Sequence, residues 1–191
     1  MSYVGRFAST PSGALHFGSL VAAVASYLDA RANKGRWLVR IEDLDPPRTA
    51  PGSIDEILRC LDTFGLHWDD EPMRQSQRQP AYKEALELLV QQGYVFPCSC
   101  SRAQLNSHPL YRCNCLEQPP SQPEVAMRVA THAISINVED AIIGPQTRHL
   151  ADEDVYIGLQ REGQLFSYQL DVMVDDAKQK VRRIIRDNDL F

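Results

Sequence analysis

Arg6-Phe-Ala-Ser-Thr-Pro-Ser-Gly-Ala-Leu-His-Phe-Gly-Ser19 is the stretch on which the reading of the whole chain turns. An apolar run, Tyr3 to Ala8, has the character of a short strand and leads into a turn carrying proline and glycine. His16-Phe-Gly-Ser19 then stands directly before a run rich in alanine, leucine and valine. Strand, tight turn and helix N-terminus in that order make an anion-binding corner. The first helical N–H groups have no intrahelical partner, and the macrodipole adds positive potential at the same place. The imidazole of His16 supplies a directed hydrogen bond there. The expected ligand is a phosphate, that of a nucleotide.

Beyond this corner the pattern continues in alternating elements. Ser19 to Ala32 lies between Gly18 and Gly35 and reads as a buried helix. Trp37-Leu-Val-Arg-Ile-Glu42 is a compact strand, stopped by Asp43-Leu-Asp-Pro-Pro-Arg48. Ser53 is an N-cap candidate for a helix to Phe64 with apolar residues at 54, 57, 58 and 61, ending at Gly65. Pro80 to Gln92 repeats the pattern with Tyr82, Leu86 and Leu89, ending at Gly93. A β-α-β-α-α series within about 95 residues predicts an α/β fold with an open parallel sheet flanked by helices. The register then breaks. Tyr94 to Pro123 has little periodicity and reads as an inserted module, while Val125 to Val138 and Asp154 to Val174 alternate as strands do.

The 191 residues suffice for one sizeable core, or one core with a small module. A hydrophobic share of 43% and a charged share of 24% are ordinary for a soluble globular chain. No run of about 18 apolar residues suggests a membrane span, and the first residues lack a signal-peptide pattern. The expectation is a cytoplasmic protein. A formal net charge of −5 argues against a sequence-blind nucleic-acid binder, yet leaves room for a local basic patch that holds a structured RNA.

Four of the five cysteines fall between Cys98 and Cys115, and in a cytosolic chain such clustering suggests metal before disulfide. Cys98-Ser-Cys100 and Cys113-Asn-Cys115 together offer a tetrahedral zinc site by residue type and number, with Tyr111 as an alternative fourth donor in place of Cys113. Such a closed, structural zinc would staple a loop-rich segment that lacks a core of its own. Cys60, alone on a predicted helix, reads as a small buried hydrophobe.

Taken together, Arg6-x-Ala-x-Thr-Pro-Ser-Gly, His16-Phe-Gly-Ser19, Arg40-Ile-Glu-Asp-Leu-Asp-Pro-Pro-Arg48 and the cysteine module resemble the class I glutamyl-tRNA synthetases. Within them the likeness is to the short glutamyl-Q tRNA(Asp) synthetases, which lack an anticodon-binding domain. His16 to Ser19 corresponds to the HIGH signature, and Gly65-Leu-His-Trp-Asp69 and Gln75-Ser-Gln-Arg78 are similar to the family's pattern after its second helix.

The resemblance implies a Rossmann-like catalytic domain with an inserted zinc-bearing module. Residues 1–93 would be the first half of the nucleotide-binding domain and 94–123 the zinc-bearing insertion. Residues 124–191 would hold the rest of the insertion and the start of the second half. It implies two-step chemistry: glutamate and ATP, with Mg2+, give glutamyl adenylate, and the glutamyl group passes to the queuosine base of tRNA(Asp). His16, with Gly18 and Ser19, would meet the ATP phosphates. Arg6 and Arg186 would meet glutamate carboxylates, for which planar guanidinium forks are suited. Glu42 would pair with the ammonium, and Ala8, Thr10 and Tyr168 would line the same pocket. A monomer is expected. The same residues also admit the catalytic domain of a full glutamyl-tRNA synthetase, or a non-catalytic zinc-containing RNA-binding remnant.

Several positions depart from the family pattern. Ser9 replaces a usual proline, Asp187 follows Arg186 where glycine is usual, and Asp171 stands in a normally apolar run. No Lys-x-Ser-Lys segment occurs within the 191 residues. The expectation is a shortened C-terminal part, and a chain that by itself activates glutamate poorly or not at all.

Overall fold

The structure, a computed structural model, describes residues 3–105, 114–122, 125–130, 135–150, 156–161 and 165–186. The chain divides into two compact units, Met1–Pro80 with Val174–Phe191, and Ala81–Met173.

The first unit is built on β1 (Val4–Ser9), α1 (Phe17–Ala32), β2 (Arg36–Ile41), α2 (Ser53–Thr63), β3 (Met73–Arg74) and the late strand β9 (Arg183–Ile184). Its sheet runs β3-β2-β1-β9, and every neighbouring pair is parallel. Trp37 to Ile41 are all buried, as a central strand covered on both faces requires. The two-residue period of a strand sorts these side chains by face. Phe7, Trp37, Val39 and Ile41 join Ala23 and Ala30 of α1, Ile57 and Leu61 of α2, and Leu66 in one core. The indole N–H of Trp37 donates to Ser26 Oγ at 2.9 Å, so this large ring is buried without an orphaned donor. Arg6, Ala8, Leu38 and Arg40 therefore take the opposite face, with Glu42 next in line.

Two expectations for the helices change. Helix α1 is not buried all round. Ala23, Ser26 and Ala30 form a small-residue stripe against the sheet, while Phe17, Val21 and Leu28 remain exposed on another side. Ser53 is not the cap of α2: Gly52, at φ 78°, takes that position, and Ser53 is the first helical residue. Its Oγ lies 2.6 Å from both the Pro11 and the Ala50 carbonyl oxygens, which fastens the turn after β1 to the start of α2. Cys60, expected to be buried, is half-buried.

The second unit holds most of α3 (Gln79–Gln91), then β4 (Val95–Cys98), α4 (Arg102–Leu105), β5 (Ala126–Ala130), β6 (Ser135–Asp140), β7 (Gly144–His149) and β8 (Tyr156–Gln160). β4-β5-β8 form an antiparallel sheet, and β6 and β7 pair as an antiparallel hairpin. Tyr82 is buried and meets Phe166 edge-on at 5.7 Å. Helix α5 (Tyr168–Gln179) starts here, and its residues from Val174 onward belong to the first unit. It corrects the strand expected across Asp154 to Val174. Among the described residues of that span only Tyr156–Gln160 is strand, because the buried residues further on are Ser167, Leu170, Asp171 and Asp175, a helical spacing. The apolar run Val172-Met173-Val174 imitates strand composition.

Candidate active site and metal site

The corner after β1 forms at the start of α1. His16 is the N-cap, extended at φ −77° and ψ 167°, and its Nδ1 accepts the Ser19 N–H at 3.1 Å. Accepting at Nδ1 puts the ring proton of a neutral imidazole on Nε2, which then donates to Ser19 Oγ at 2.9 Å. The first intrahelical bond runs from Leu20 N–H to the His16 carbonyl at 3.1 Å. Because the helix begins at Phe17, Gly18 and Ser19 lie inside its first turn. The Ser19 amide is thus engaged by the imidazole, and the Phe17 and Gly18 amides occupy the mouth of the helix, where the macrodipole is most positive. His16 itself is exposed.

On the sheet face opposite the core, four charges are linked. The buried Arg6 holds Asp176 of α5 with two bonds, Nε to Oδ1 at 3.1 Å and Nη2 to Oδ2 at 3.3 Å. Arg40, fully buried, donates from Nη1 to Asp176 Oδ1 at 2.6 Å and from Nη2 to Glu42 Oε1 at 3.3 Å. Two guanidinium and two carboxylate groups balance, so the buried cluster is neutral as a whole. Burial pushes the Asp176 carboxyl up, but Arg6 and Arg40 outweigh it and hold the group below the usual carboxylate range. Glu42 goes the other way: burial lifts its pKa above the ordinary value despite Arg40 and Arg6, and Asp176 adds to the rise. Burial pulls Arg40 down, yet Asp176 and Glu42 more than compensate and its pKa is raised.

The neighbouring Asp175 is fully buried and fixes a different segment. It accepts from Gln75 Nε2 at 3.1 Å and from Arg78 Nε at 3.0 Å. The same segment is tied again by Asp43, which accepts from the Ser76 amide at 2.8 Å and its hydroxyl at 2.7 Å. Consecutive aspartates on α5 thus reach different partners, one the loop after β3 and the other the two central strands.

In the second unit Cys98, Cys100 and Cys115 bring their sulfurs within 4.8 Å of one another. Cys98 ends β4, and Cys115 is buried in the short turn Asn114–Leu116. The Cys100 and Cys115 sulfurs are 3.8 Å apart. Two ligands about 2.3 Å from a tetrahedral zinc would have about that spacing. Burial raises the Cys115 thiol, but bonds from the Ser99 amide and hydroxyl and from Cys100 and Cys98 prevail and bring it to about 7. A thiol so lowered is substantially thiolate at neutral pH, as a metal ligand must be. The residues present fit zinc. Tyr111 and Cys113, the two candidates for the fourth donor, lie outside the described residues.

The structure therefore gathers Arg6 and Glu42, two of the expected glutamate-binding residues, into one cluster at the strand ends that carry Ala8 and lead into Thr10. Arg6 differs from its expected state, since two of its nitrogens are already bonded to Asp176. Arg186 follows β9 two residues after Ile184, which is level with Arg6, and is exposed. Tyr168 belongs to the second unit, where it opens α5 and is 45% exposed. Asp171, unexpected in its run, is buried near the start of the same helix. Arg40 and Asp176 carried no assignment from sequence. The available signal was a charged residue inside the otherwise apolar Trp37 to Ile41, since a buried cation demands a partner.

A parallel β-α-β unit with its polar residues gathered at the strand ends, and an imidazole capping the first helix, is the frame of a nucleotide-binding α/β domain. The model of the tRNA synthetases class I (E and Q), catalytic domain, matches residues 3–132, and the chain belongs to this family. Across all 191 residues it is 47% identical to the glutamyl-Q tRNA(Asp) synthetase of Pseudomonas fluorescens, covering 64% of that protein. It is likewise 47% identical to the glutamyl-Q tRNA(Asp) synthetase of Pseudomonas aeruginosa strain PAO1, covering 65% of it. The chain thus spans a little under two thirds of the length of these curated relatives. Among solved structures, the glutamate tRNA ligase of Elizabethkingia meningosepticum superposes with a TM-score of 0.83 at 23% identity, covering 96% of this chain and 43% of that one. That match establishes the class I synthetase fold.

Proposed function

We propose that this chain carries the amino-acid-activating portion of a glutamyl-Q tRNA(Asp) synthetase. It would bind glutamate and ATP, with Mg2+, for transfer of the glutamyl group to the queuosine base of tRNA(Asp) in the cytoplasm. The observation that carries this reading is the neutral Arg6–Asp176–Arg40–Glu42 cluster on the face that β1 and β2 turn away from the core. An α-amino acid brings one carboxylate and one ammonium. Arg6 and Glu42 offer the opposite charges, and Arg186 offers a further guanidinium for the side-chain carboxylate. Ala8 and Thr10 continue the same strand end, where a small residue leaves room for the ligand.

The ATP phosphates would lie against the α1 mouth, with the exposed imidazole of His16 and the amides around Gly18 and Ser19 as donors. To reach a phosphate, His16 exchanges its hydrogen bonds to Ser19 for bonds to the ligand. In the first step a glutamate carboxylate oxygen attacks the α-phosphorus, and the bond to the β,γ-pyrophosphate breaks. The protein's part is to align the carboxylate with the phosphate and to stabilise charge as it builds, with no covalent intermediate on the enzyme. Cys98, Cys100 and Cys115 would hold a structural zinc, with Tyr111 or Cys113 as fourth ligand. Such a zinc would order the module in a structural role.

Calorimetry with L-glutamate and with ATP tests the reading. Both bind if it is right. The chain by itself is expected to activate glutamate poorly, so binding carries the test; whatever radiolabelled glutamate it does transfer should reach the queuosine base of tRNA(Asp) rather than the 3′ end. Binding of tRNA without any binding of glutamate or ATP would overturn the proposal in favour of an RNA-binding module. The monomeric state is checked by sedimentation of the same sample.

A further inference from the structure

Among the groups that the proposed chemistry leaves without a role, Asp176 stands out. It sits on α5, far along the chain from both strands, yet its two oxygens take three bonds from Arg6 and Arg40. We propose that Asp176 is a positioning residue for glutamate recognition: it sets the fork of Arg6 directly, and the carboxylate of Glu42 through Arg40. The proposal rests on the functional reading above and deepens it.

The argument is one of freedom and charge. An arginine side chain has many rotamers, and only a fork held on one edge presents its other edge in a fixed direction. Asp176 Oδ1 and Oδ2 grip the Nε and Nη2 edge of Arg6. Arg40 is pinned at Nη1 by Asp176 and offers Nη2 to Glu42. One carboxylate therefore fixes the directions of both proposed recognition groups, the carboxylate-binding Arg6 and the ammonium-binding Glu42. It also neutralises the second guanidinium, which would otherwise be a buried, unpaired charge. The charged groups facing Glu42 are Arg40 of β2, Arg6 of β1 and Asp176 of α5.

The test is glutamate binding by the full chain, wild type against Asp176→Asn, followed calorimetrically across pH, with ATP binding as the parallel measurement. The expected result is roughly tenfold or greater weakening for glutamate with ATP affinity unchanged. The acid midpoint of glutamate binding should also move downward, because a negative neighbour of Glu42 has gone. A merely structural role would weaken glutamate and ATP together, and that result overturns the proposal. Equal glutamate affinity in both proteins overturns it too. Wild type that binds ATP but no glutamate overturns the functional reading, and this assignment falls with it. If Asp176→Asn does not fold, Asp176→Glu is decisive. It keeps the charge but displaces it by one methylene, so glutamate should bind more weakly at an unchanged midpoint, and undiminished affinity refutes the positioning role.

Discussion

Replacing Glu42 with glutamine keeps the shape of the side chain and removes one negative charge from a cluster in which two guanidinium groups face two carboxylates. Glu42 is 13% exposed in its side chain, so water screens this change little. If the carboxylate meets the ammonium of glutamate, the loss belongs to a desolvated charge pair. Truncating one partner of such a pair costs about 2–4 kcal/mol, a factor of roughly 30 to 700 in affinity. The variant cluster carries one excess positive charge, which favours any ligand that is purely anionic. Glutarate, which is glutamate without its amino group, separates the two effects. Wild type should prefer glutamate to glutarate strongly. In Glu42→Gln, glutamate should weaken while glutarate binds as well as before or better. Titration calorimetry of both ligands against both proteins closes the cycle, and general damage to the pocket would weaken both ligands in parallel. Undiminished preference for glutamate in the variant would refute the assignment of Glu42 as the ammonium partner.

The remaining expectations concern pH, metal and stability. Glu42 pairs with an ammonium only when ionised, and burial raises its pKa above the ordinary carboxylate value. Glutamate affinity should therefore fall on acidification through that raised pKa, by about tenfold per pH unit below it; affinity that holds flat down to the usual carboxylate range contradicts this. Cys115→Ser should lower zinc content, measured by elemental analysis, from about one ion per chain to a small fraction of that. A well-folded wild type that contains no zinc ends the metal assignment. Asp175→Asn leaves the guanidinium of Arg78, 22% exposed in its side chain, without its charged partner and weakens the bond from Gln75. The expected loss is about 3 kcal/mol, or a urea midpoint lowered by about 1.5 M for a slope of about 2 kcal/mol per molar. A midpoint shift below about 0.5 M would show that the loop after β3 is held by Asp43 instead.

The parallel sheet was legible because its signals are local. Trp37 to Ile41 is apolar for its whole length apart from one arginine, and the glycines and prolines around it punctuate the elements clearly. Errors arose where local signals compete. Val172-Met173-Val174 has strand composition, but the helix is set by what Leu170 and Asp175 bury, and that is a tertiary matter. Ser53 is chemically a good cap, yet the carbonyls of Pro11 and Ala50 claim its hydroxyl and the chain turns one residue earlier at Gly52. The exposed side of α1 was missed for a related reason. Continuous apolar composition marks a helix without saying how many of its faces will be covered.

Legibility of the candidate site follows the same division. Arg40 and Glu42 stand two residues apart on a strand, so their common face follows from the backbone period alone. The partner that makes Arg40 tolerable in the interior is 136 residues away, and no local pattern names it. What the chain does announce is an unpaired demand: a fully buried guanidinium requires compensating carboxylate charge. The consecutive aspartates of α5 are the only adjacent pair of acids on that helix, and they stand on a stretch otherwise suited to burial. Once the helix is docked, Asp176 answers the demand of both Arg6 and Arg40, and Glu42 completes the neutral set. With its side-chain carboxylate met by Arg186, the α-ammonium and α-carboxylate of a glutamate entering such a site add one charge of each sign and leave the balance of the four groups intact. A simple dianion would not, which is why the comparison of glutamate with glutarate reads the cluster's charge directly.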